Sequence, residues 1–101
     1  MRCYLSGKIS GLPYQEAVDN FEKAEKEVEQ LGYEPLNPMK LCPFNPDWTW
    51  EDYMEKDLGA LLKCHAIYMQ KNWGSSRGAR CEYALAKELG ISIYFQDELQ
   101  Y

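Results

Sequence analysis

Apolar residues along the chain are spaced in two different ways. Short apolar runs bounded by glycine, proline or polar residues predict four strands, at residues 2–6, 33–38, 65–70 and 91–95. Between these runs, apolar residues recur at every third or fourth position and predict three helices, at residues 14–31, 50–64 and 77–89. The proline-rich segment 38–49, PMKLCPFNPDWT, is predicted to be a loop. Strands and helices therefore alternate along the chain.

This alternation determines the expected fold. Parallel strands are joined by right-handed helical crossovers, so the pattern predicts a parallel sheet with helices on both faces. We expect a single flavodoxin-like domain over residues 1–101, a three-layer α/β fold whose four-stranded parallel sheet has the order 2-1-3-4. Ligands bind such sheets at the carboxyl ends of the strands. That edge comprises the segments 7–11 (GKISG), 37–41 (NPMKL) and 71–78 (KNWGSSRG).

Two acidic residues lie on helix faces that are otherwise apolar. Glu82 lies on the apolar stripe of the last predicted helix, and Asp57 lies on that of the second. One interpretation is that each acid sits half-exposed at the edge of its stripe. The other is a buried pair near one sheet edge. Burial raises carboxylate pKa values unevenly, so one acid can act as a nucleophile and the other as a proton donor. Cleavage at the anomeric carbon of a sugar uses such a pair.

The loop before Glu82 is suited to binding an anion. The segment 74–78, GSSRG, runs into a predicted helix, where free backbone N–H groups and the helix dipole favour an anion such as phosphate. Positive charge is added by the neighbouring basic residues Lys71, Arg77 and Arg80. The alternative is that Ser75 or Ser76 caps the helix and the arginines are simply solvated.

The first loop is a second candidate anion site. The segment 7–11, GKISG, predicts a tight turn that presents backbone amides and Lys8 to a ligand. It lacks the spacing G-x-G-x-x-G, so it is not a dinucleotide-binding fingerprint. Among the aromatic residues near these loops, Trp50 is expected in the core. Trp48 and Trp73 stand among turn residues, where stacking on a base is an alternative to a core position.

Composition and charge exclude several classes of protein. A net charge of −5 argues against a general nucleic-acid binder, and no apolar run is long enough to span a membrane. The four scattered cysteines include no close pair of the kind that binds zinc. We interpret them as reduced core thiols of a cytoplasmic protein, because the amino terminus lacks the pattern of a secretion signal. No cofactor or metal is expected.

Four stretches of the chain resemble a known family. They are YLSGKISGLP, NFEKAEKEVEQLGYEPLNP, DLGALLKC and NWGSSRGARCEYALAKELGI. In order and spacing, over nearly the whole chain, they resemble small uncharacterised phage and bacterial proteins of the nucleoside 2-deoxyribosyltransferase-like superfamily. The resemblance implies that Glu82 is a nucleophile that attacks C1′ of a deoxyribosyl unit. It implies that Tyr4 steadies this glutamate and that Asp57 contacts the sugar or handles protons.

One position favours a particular branch of the superfamily. Six residues before the nucleophile, the nucleoside transferases carry an aspartate that engages the base, whereas this chain has Ser76. The deoxynucleoside 5′-monophosphate N-hydrolases carry a serine there that grips the phosphate. Those hydrolases also have a serine and an arginine in the first loop, where this chain has Lys8 and Ser10. The residues expected to bind substrate are Gly7, Lys8, Ser10, Trp73, Ser76 and Gly78.

The expected function is therefore cleavage of the base–sugar bond of a (deoxy)nucleoside 5′-monophosphate or a related nucleotide. The alternatives are a nucleoside deoxyribosyltransferase, a module that binds a nucleotide without cleaving it, and a structural subunit in which Glu82 is a buried hydrogen-bond partner. The partner is expected to be a small-molecule nucleotide, with no nucleic acid or membrane involved. The hydrolases complete their site with a residue of a partner subunit, and in this chain that contribution is missing or comes from elsewhere. The resemblance also implies a homodimer.

Overall fold

Four parallel strands form the sheet. The structure, a computed structural model, describes residues 1–99 and contains strands β1 (Arg2–Ser6), β2 (Glu34–Leu36), β3 (Ala66–Met69) and β4 (Ser92–Phe95). Neighbouring strands all pair in parallel, in the order β2-β1-β3-β4. The predicted α/β fold and its sheet order 2-1-3-4 are confirmed. Gln100 and Tyr101, the last residues of the predicted domain, lie outside the described residues.

Helices connect the strands. The described residues contain α1 (Tyr14–Gln30), α2 (Pro38–Leu41), α3 (Trp50–Leu61) and α4 (Arg77–Leu89). Single turns of 3-10 helix occupy Trp73–Ser75 and Gln96–Leu99. The three long helices, α1, α3 and α4, are the crossovers that the sequence pattern predicts.

Two boundaries differ from the prediction. The short helix α2 lies in the segment predicted to be a loop. It forms because the Asn37 side chain accepts a hydrogen bond from the N–H of Met39 and a proline occupies the first turn. Helix α3 ends before the predicted Cys64, because the N–H groups of Lys63 and Cys64 bond to carbonyls three residues earlier and form a tight turn.

Alternate residues of β1 face different helices. Cys3 and Leu5 pack into the cluster that α1 covers, whereas Tyr4 packs into the cluster formed with α3 and α4. Side chains two positions apart on a strand share a face, so Ser6 lies on the same side as Tyr4. The carboxyl end of β1 therefore presents two hydroxyl groups toward α3 and α4.

The carboxyl ends of β1 and β3 lie side by side in the middle of the sheet, where Ser6 pairs with Met69. From β1 the chain moves outward to β2, and the next connection crosses to β3 on the opposite side. The loops after β1 and β3 consequently run in opposite directions and leave a crevice between them.

The cysteines do not all lie in the core. Cys3 and Cys64 are buried as predicted, and all four thiols are free. Cys42 is half-buried and Cys81 is exposed, so the prediction is wrong for these two. Cys81 precedes a buried position of α4, and one residue rotates a side chain by about 100° around a helix.

Thr49→Ala is expected to lower the free energy of unfolding by about 1 kcal/mol. The Thr49 hydroxyl accepts a hydrogen bond of 3.2 Å from the N–H of Asp52, and the Asp52 carboxylate accepts one of 2.9 Å from the N–H of Thr49. This capping box starts the helix that carries Asp57. Urea unfolding measures the change. Thr49→Ser, which keeps the hydroxyl, is the control, and an alanine variant as stable as the wild type would contradict the role of the cap.

Candidate functional site

A cavity of about 830 Å³ opens at the carboxyl edge of the sheet. Its wall comes from the loop after β1, the segment between α2 and α3, α3 itself and the first turns of α4. It is lined by eight residues that the sequence predicts for the site: Tyr4, Gly7, Lys8, Ser10, Asp57, Ser76, Gly78 and Glu82. The volume falls within the usual range of small-molecule pockets.

Glu82 is held at the bottom of this pocket by two hydroxyl groups. Its side chain projects from the second turn of α4 and is only 5% exposed. The Tyr4 hydroxyl donates a hydrogen bond of 2.7 Å to Oε2, and the Ser6 hydroxyl donates one of 2.6 Å to Oε1. Both carboxyl oxygens are thereby fixed by the carboxyl-terminal half of β1. The interpretation of Glu82 as a half-exposed acid at the edge of its stripe is wrong.

Burial raises the pKa of Glu82 from its ordinary value of 4.5 to about 8. The hydrogen bonds from Ser6 and Tyr4 act against this rise, because they stabilise the carboxylate, and the nearby Asp57 adds to it. Burial also raises the pKa of Tyr4 well above its ordinary value, so this hydroxyl keeps its proton. The site thus holds a carboxyl group that can carry or release a proton near neutral pH.

Asp57 is a second buried acid in the same pocket. It projects from α3 and is 9% exposed, and its Oδ1 atom is buried with no hydrogen-bond partner among residues 1–99. Burial raises its pKa from 3.8 to about 6. Buried carboxyl oxygens normally accept a hydrogen bond within the protein. This Oδ1 atom accepts none from the described residues, so it is available to a ligand or a proton.

Ser76 stands at the junction of the pocket wall and α4. Its hydroxyl oxygen accepts a hydrogen bond of 3.2 Å from the N–H of Ala79 and so caps the helix. The capping interaction uses the oxygen as an acceptor and leaves the hydroxyl hydrogen available to a ligand. Two residues later, a side chain at Gly78 would approach the Met54 sulfur at 3.2 Å. A larger residue here would press on Met54, which also lines the pocket.

In the first loop, one of the backbone amides expected to face an anion is already bonded within the protein. The N–H of Lys8 donates to the Asn72 side chain at 3.1 Å, so this amide is already used. Gly7 packs against Gln70, whose Nε2 atom would lie 2.6 Å from an added Cβ. A larger residue here would have to displace the buried Gln70 side chain. Ser10 is exposed on the pocket side of the loop.

Two of the three tryptophans do not lie where the sequence predicts them. Trp73 does not line the pocket: its ring lies 4.8 Å from that of Tyr83 and 6.0 Å from that of Phe95, so it packs against α4 and β4. Trp50 is half-buried and lines the pocket, so its expected core position is wrong. Trp48 also lines the pocket. The structure therefore does not bring Trp73 together with the other predicted site residues.

Two interactions of the site are not predicted from the sequence. Ser6 donates a hydrogen bond to Glu82, and its position two residues after Tyr4 on a strand is a signal that could have identified it. The stacking of Arg77 on Trp50, 3.7 Å from the guanidinium carbon to the ring centroid, has no comparable signal. These residues are far apart in the sequence and lie on different helices.

Within residues 1–99, no three His, Cys, Asp or Glu side chains are grouped in a way that could hold a metal ion. No helix in that range has both the length and the apolar composition needed to cross a membrane.

Fold and site together define a flavodoxin-like α/β domain with two buried carboxyl groups in a pocket at its sheet edge. The chain belongs to the family described as "Domain of unknown function (DUF4406)", whose profile matches residues 1–95. No curated protein sequence matches it significantly.

A solved structure has a similar fold. It is the 2-deoxyribosyltransferase of the psychrotolerant bacterium Bacillus psychrosaccharolyticus, with a TM-score of 0.69 and 18% sequence identity. The match covers 94% of this chain and 71% of that chain. That protein is described as a biocatalyst for the industrial synthesis of antiviral and antitumoral nucleosides. At this identity the likeness concerns the fold.

Proposed function

We propose that the protein is a nucleotide N-glycosidase that cleaves the base–sugar bond of a (deoxy)nucleoside 5′-monophosphate or a related nucleotide. The observation that carries this proposal is the carboxyl group of Glu82, buried in the pocket with both oxygens held by hydroxyl groups of β1. A carboxylate oriented in this way is suited to attack on an anomeric carbon. The fold shared with a 2-deoxyribosyltransferase supports nucleoside chemistry.

The proposed reaction has two steps. Glu82 attacks C1′ of the sugar, the C1′–N bond breaks, and the base leaves with the bonding electrons while Asp57 supplies a proton to it. This forms an ester between the sugar and Glu82. Asp57, now a carboxylate, then takes a proton from water, whose oxygen attacks C1′ and restores the free glutamate.

Protonation states determine when the site can react. Burial raises the pKa of Glu82 to about 8 and that of Asp57 to about 6, which favours the proton on Glu82 rather than on Asp57. The reactive form needs the opposite arrangement, with Glu82 ionised and Asp57 protonated. It is therefore a minor form of the empty site, and a bound substrate that stabilises it gains reactivity.

The phosphate is proposed to bind at the start of α4. Ser76 offers a hydroxyl hydrogen there, and the first N–H groups of the helix add their dipole. Lys8 and Arg77 are the cationic residues that line the described pocket. Trp73 has no proposed contact with the substrate because its ring packs against Tyr83 and Phe95.

Base release from nucleotides tests the proposal. The protein is incubated with a panel of ribo- and deoxyribonucleoside 5′-monophosphates and the free base is measured by chromatography, with the exposed-residue variant Glu88→Gln as a control. We expect release from at least one monophosphate. No release from any nucleotide, together with tight binding of one of them, would contradict cleavage and favour a binding module.

A nucleoside deoxyribosyltransferase is the second candidate function. The similarity of fold to a 2-deoxyribosyltransferase favours it, whereas Ser76 disfavours it, given the aspartate expected in transferases. The same assay separates the two functions. A transferase would act on nucleosides rather than monophosphates and would release base only when an acceptor base is present.

A homodimeric assembly and a cytoplasmic location stay predictions of the sequence. Light scattering coupled to size-exclusion chromatography measures the first, and a dimer is expected at micromolar concentration.

A further inference from the structure

Arg77 is a cationic residue of the pocket whose side chain is supported by an aromatic ring. Its guanidinium carbon lies 3.7 Å from the centroid of the Trp50 ring, and both residues line the cavity. Within residues 1–99, no carboxylate lies within ion-pair distance of Arg77. Stacking occupies one face of the planar guanidinium and leaves its edges, which carry the N–H donors, free for a ligand.

The acidic groups of the pocket lie deep inside it, and the basic group of Arg77 lies at its surface. The acidic groups of Glu82 and Asp57 are buried, whereas Arg77 is exposed at the first residue of α4, next to Ser76. This arrangement fits a ligand with an uncharged sugar at one end and an anion at the other. Arg77 and Lys8, the two cationic residues that line the described pocket, offset the repulsion that its acidic groups would exert on such an anion.

We propose that Arg77, supported by Trp50, is the residue that makes this site select a 5′-phosphorylated substrate over the unphosphorylated nucleoside. The inference rests on the proposed function and assigns its substrate preference to one side chain. A guanidinium presents two parallel N–H donors that match two phosphate oxygens, and stacking on Trp50 reduces the freedom that binding would otherwise remove. The neutral Ser76 hydroxyl offers a single hydrogen bond by comparison.

Arg80 provides a matched control. It lies one turn further along α4, so it carries the same charge near the same helix end. Its Nη1 atom donates a hydrogen bond of 2.9 Å to the carbonyl of Gly74, and it does not line the pocket. Removal of Arg80 therefore tests the effect of a nearby positive charge that does not line the pocket, together with the loss of its contact to Gly74.

The test measures binding without turnover. Titration calorimetry in the Glu82→Gln background compares the four common deoxynucleoside 5′-monophosphates with their nucleosides. Arg77→Ala is expected to weaken monophosphate binding roughly 10- to 100-fold and to change nucleoside binding less than about twofold. Arg77→Lys is expected to weaken monophosphate binding less than Arg77→Ala does, because lysine keeps the charge but lacks the planar fork of the guanidinium. Arg80→Ala is expected to stay within about twofold for both ligands.

Three results would overturn the inference: equal affinity for monophosphate and nucleoside while Arg77 is present, an equal loss for both ligands in Arg77→Ala, or the same selective loss in Arg80→Ala. Failure of the proposed function looks different. Absence of base release from the wild type, with a selective loss of phosphate binding in Arg77→Ala, contradicts cleavage and supports the role of Arg77. Base release by the wild type, with a phosphate preference that Arg77→Ala does not change, supports cleavage and contradicts the role of Arg77.

Discussion

Glu82→Gln is expected to lower the rate of base release at least roughly a thousandfold, because an amide cannot form the ester that the proposed mechanism requires. Glutamine has nearly the same shape and can still pair with the hydroxyls of Tyr4 and Ser6, so the pocket should keep its form. The measurement is kcat/KM for the preferred monophosphate. Glu88→Gln, an exposed carboxyl change on the same helix, is expected to retain full activity.

The same substitution is expected to stabilise the protein at alkaline pH. The pKa of Glu82 is about 8 in the folded protein and 4.5 in the unfolded chain, so the folded state binds the extra proton between these values. The stabilising contribution is full below pH 4.5 and is lost as the pH rises through 8, a change on the order of 5 kcal/mol.

Glutamine does not ionise. We therefore expect the free energy of unfolding of Glu82→Gln to exceed that of the wild type by roughly 2 kcal/mol or more at pH 8.5 and to approach it at pH 4.5. Urea unfolding at the two pH values provides the measurement. A variant that is less stable than the wild type at pH 8.5 would mean that the Tyr4 and Ser6 hydrogen bonds outweigh the cost of burying the charge.

Asp57→Asn is expected to lower base release by roughly 100- to 10,000-fold for ordinary nucleotides, because it removes the proposed proton donor. The loss should be much smaller for 7-methylguanosine 5′-monophosphate, whose base already carries a positive charge and can leave without a proton. A chromatographic assay with both substrates separates acid catalysis from a structural effect.

The control for this prediction is Glu55→Gln, an exposed acid on the same helix, which should leave both rates unchanged. An equal loss for both substrates in Asp57→Asn would contradict the role of Asp57 as proton donor. It would point instead to a role in holding the sugar through the Oδ1 atom that has no partner in the described residues.

The buried acids could be predicted from the sequence because helical periodicity reports directly on which side of a helix faces the sheet. Glu82 and Asp57 each interrupt an apolar stripe, and both prove to be buried beside one sheet edge. The sheet order follows from the same reasoning, since a chain of alternating strands and helices has few parallel arrangements with right-handed crossovers.

The pocket wall could not be predicted to the same extent. Trp50 is expected in the core and Trp73 is expected to bind substrate, yet Trp50 lines the cavity and Trp73 packs against Tyr83. Their positions depend on how the loops after β2 and β3 fold back on the sheet, which periodicity does not describe. The use of the Lys8 amide by Asn72 is a further example, because the two residues are 64 positions apart in the chain.

The most direct test of the central claim is to trap the sugar on Glu82. An arabino-configured 2′-fluoro analogue of the preferred monophosphate serves as the probe, because fluorine next to C1′ slows hydrolysis of a glycosyl-enzyme. Peptide mass spectrometry is expected to find the fluorinated sugar phosphate on the peptide that contains Glu82, and no such adduct in Glu82→Gln. Release of base with no adduct on that peptide, or an adduct that persists in Glu82→Gln, would contradict the account.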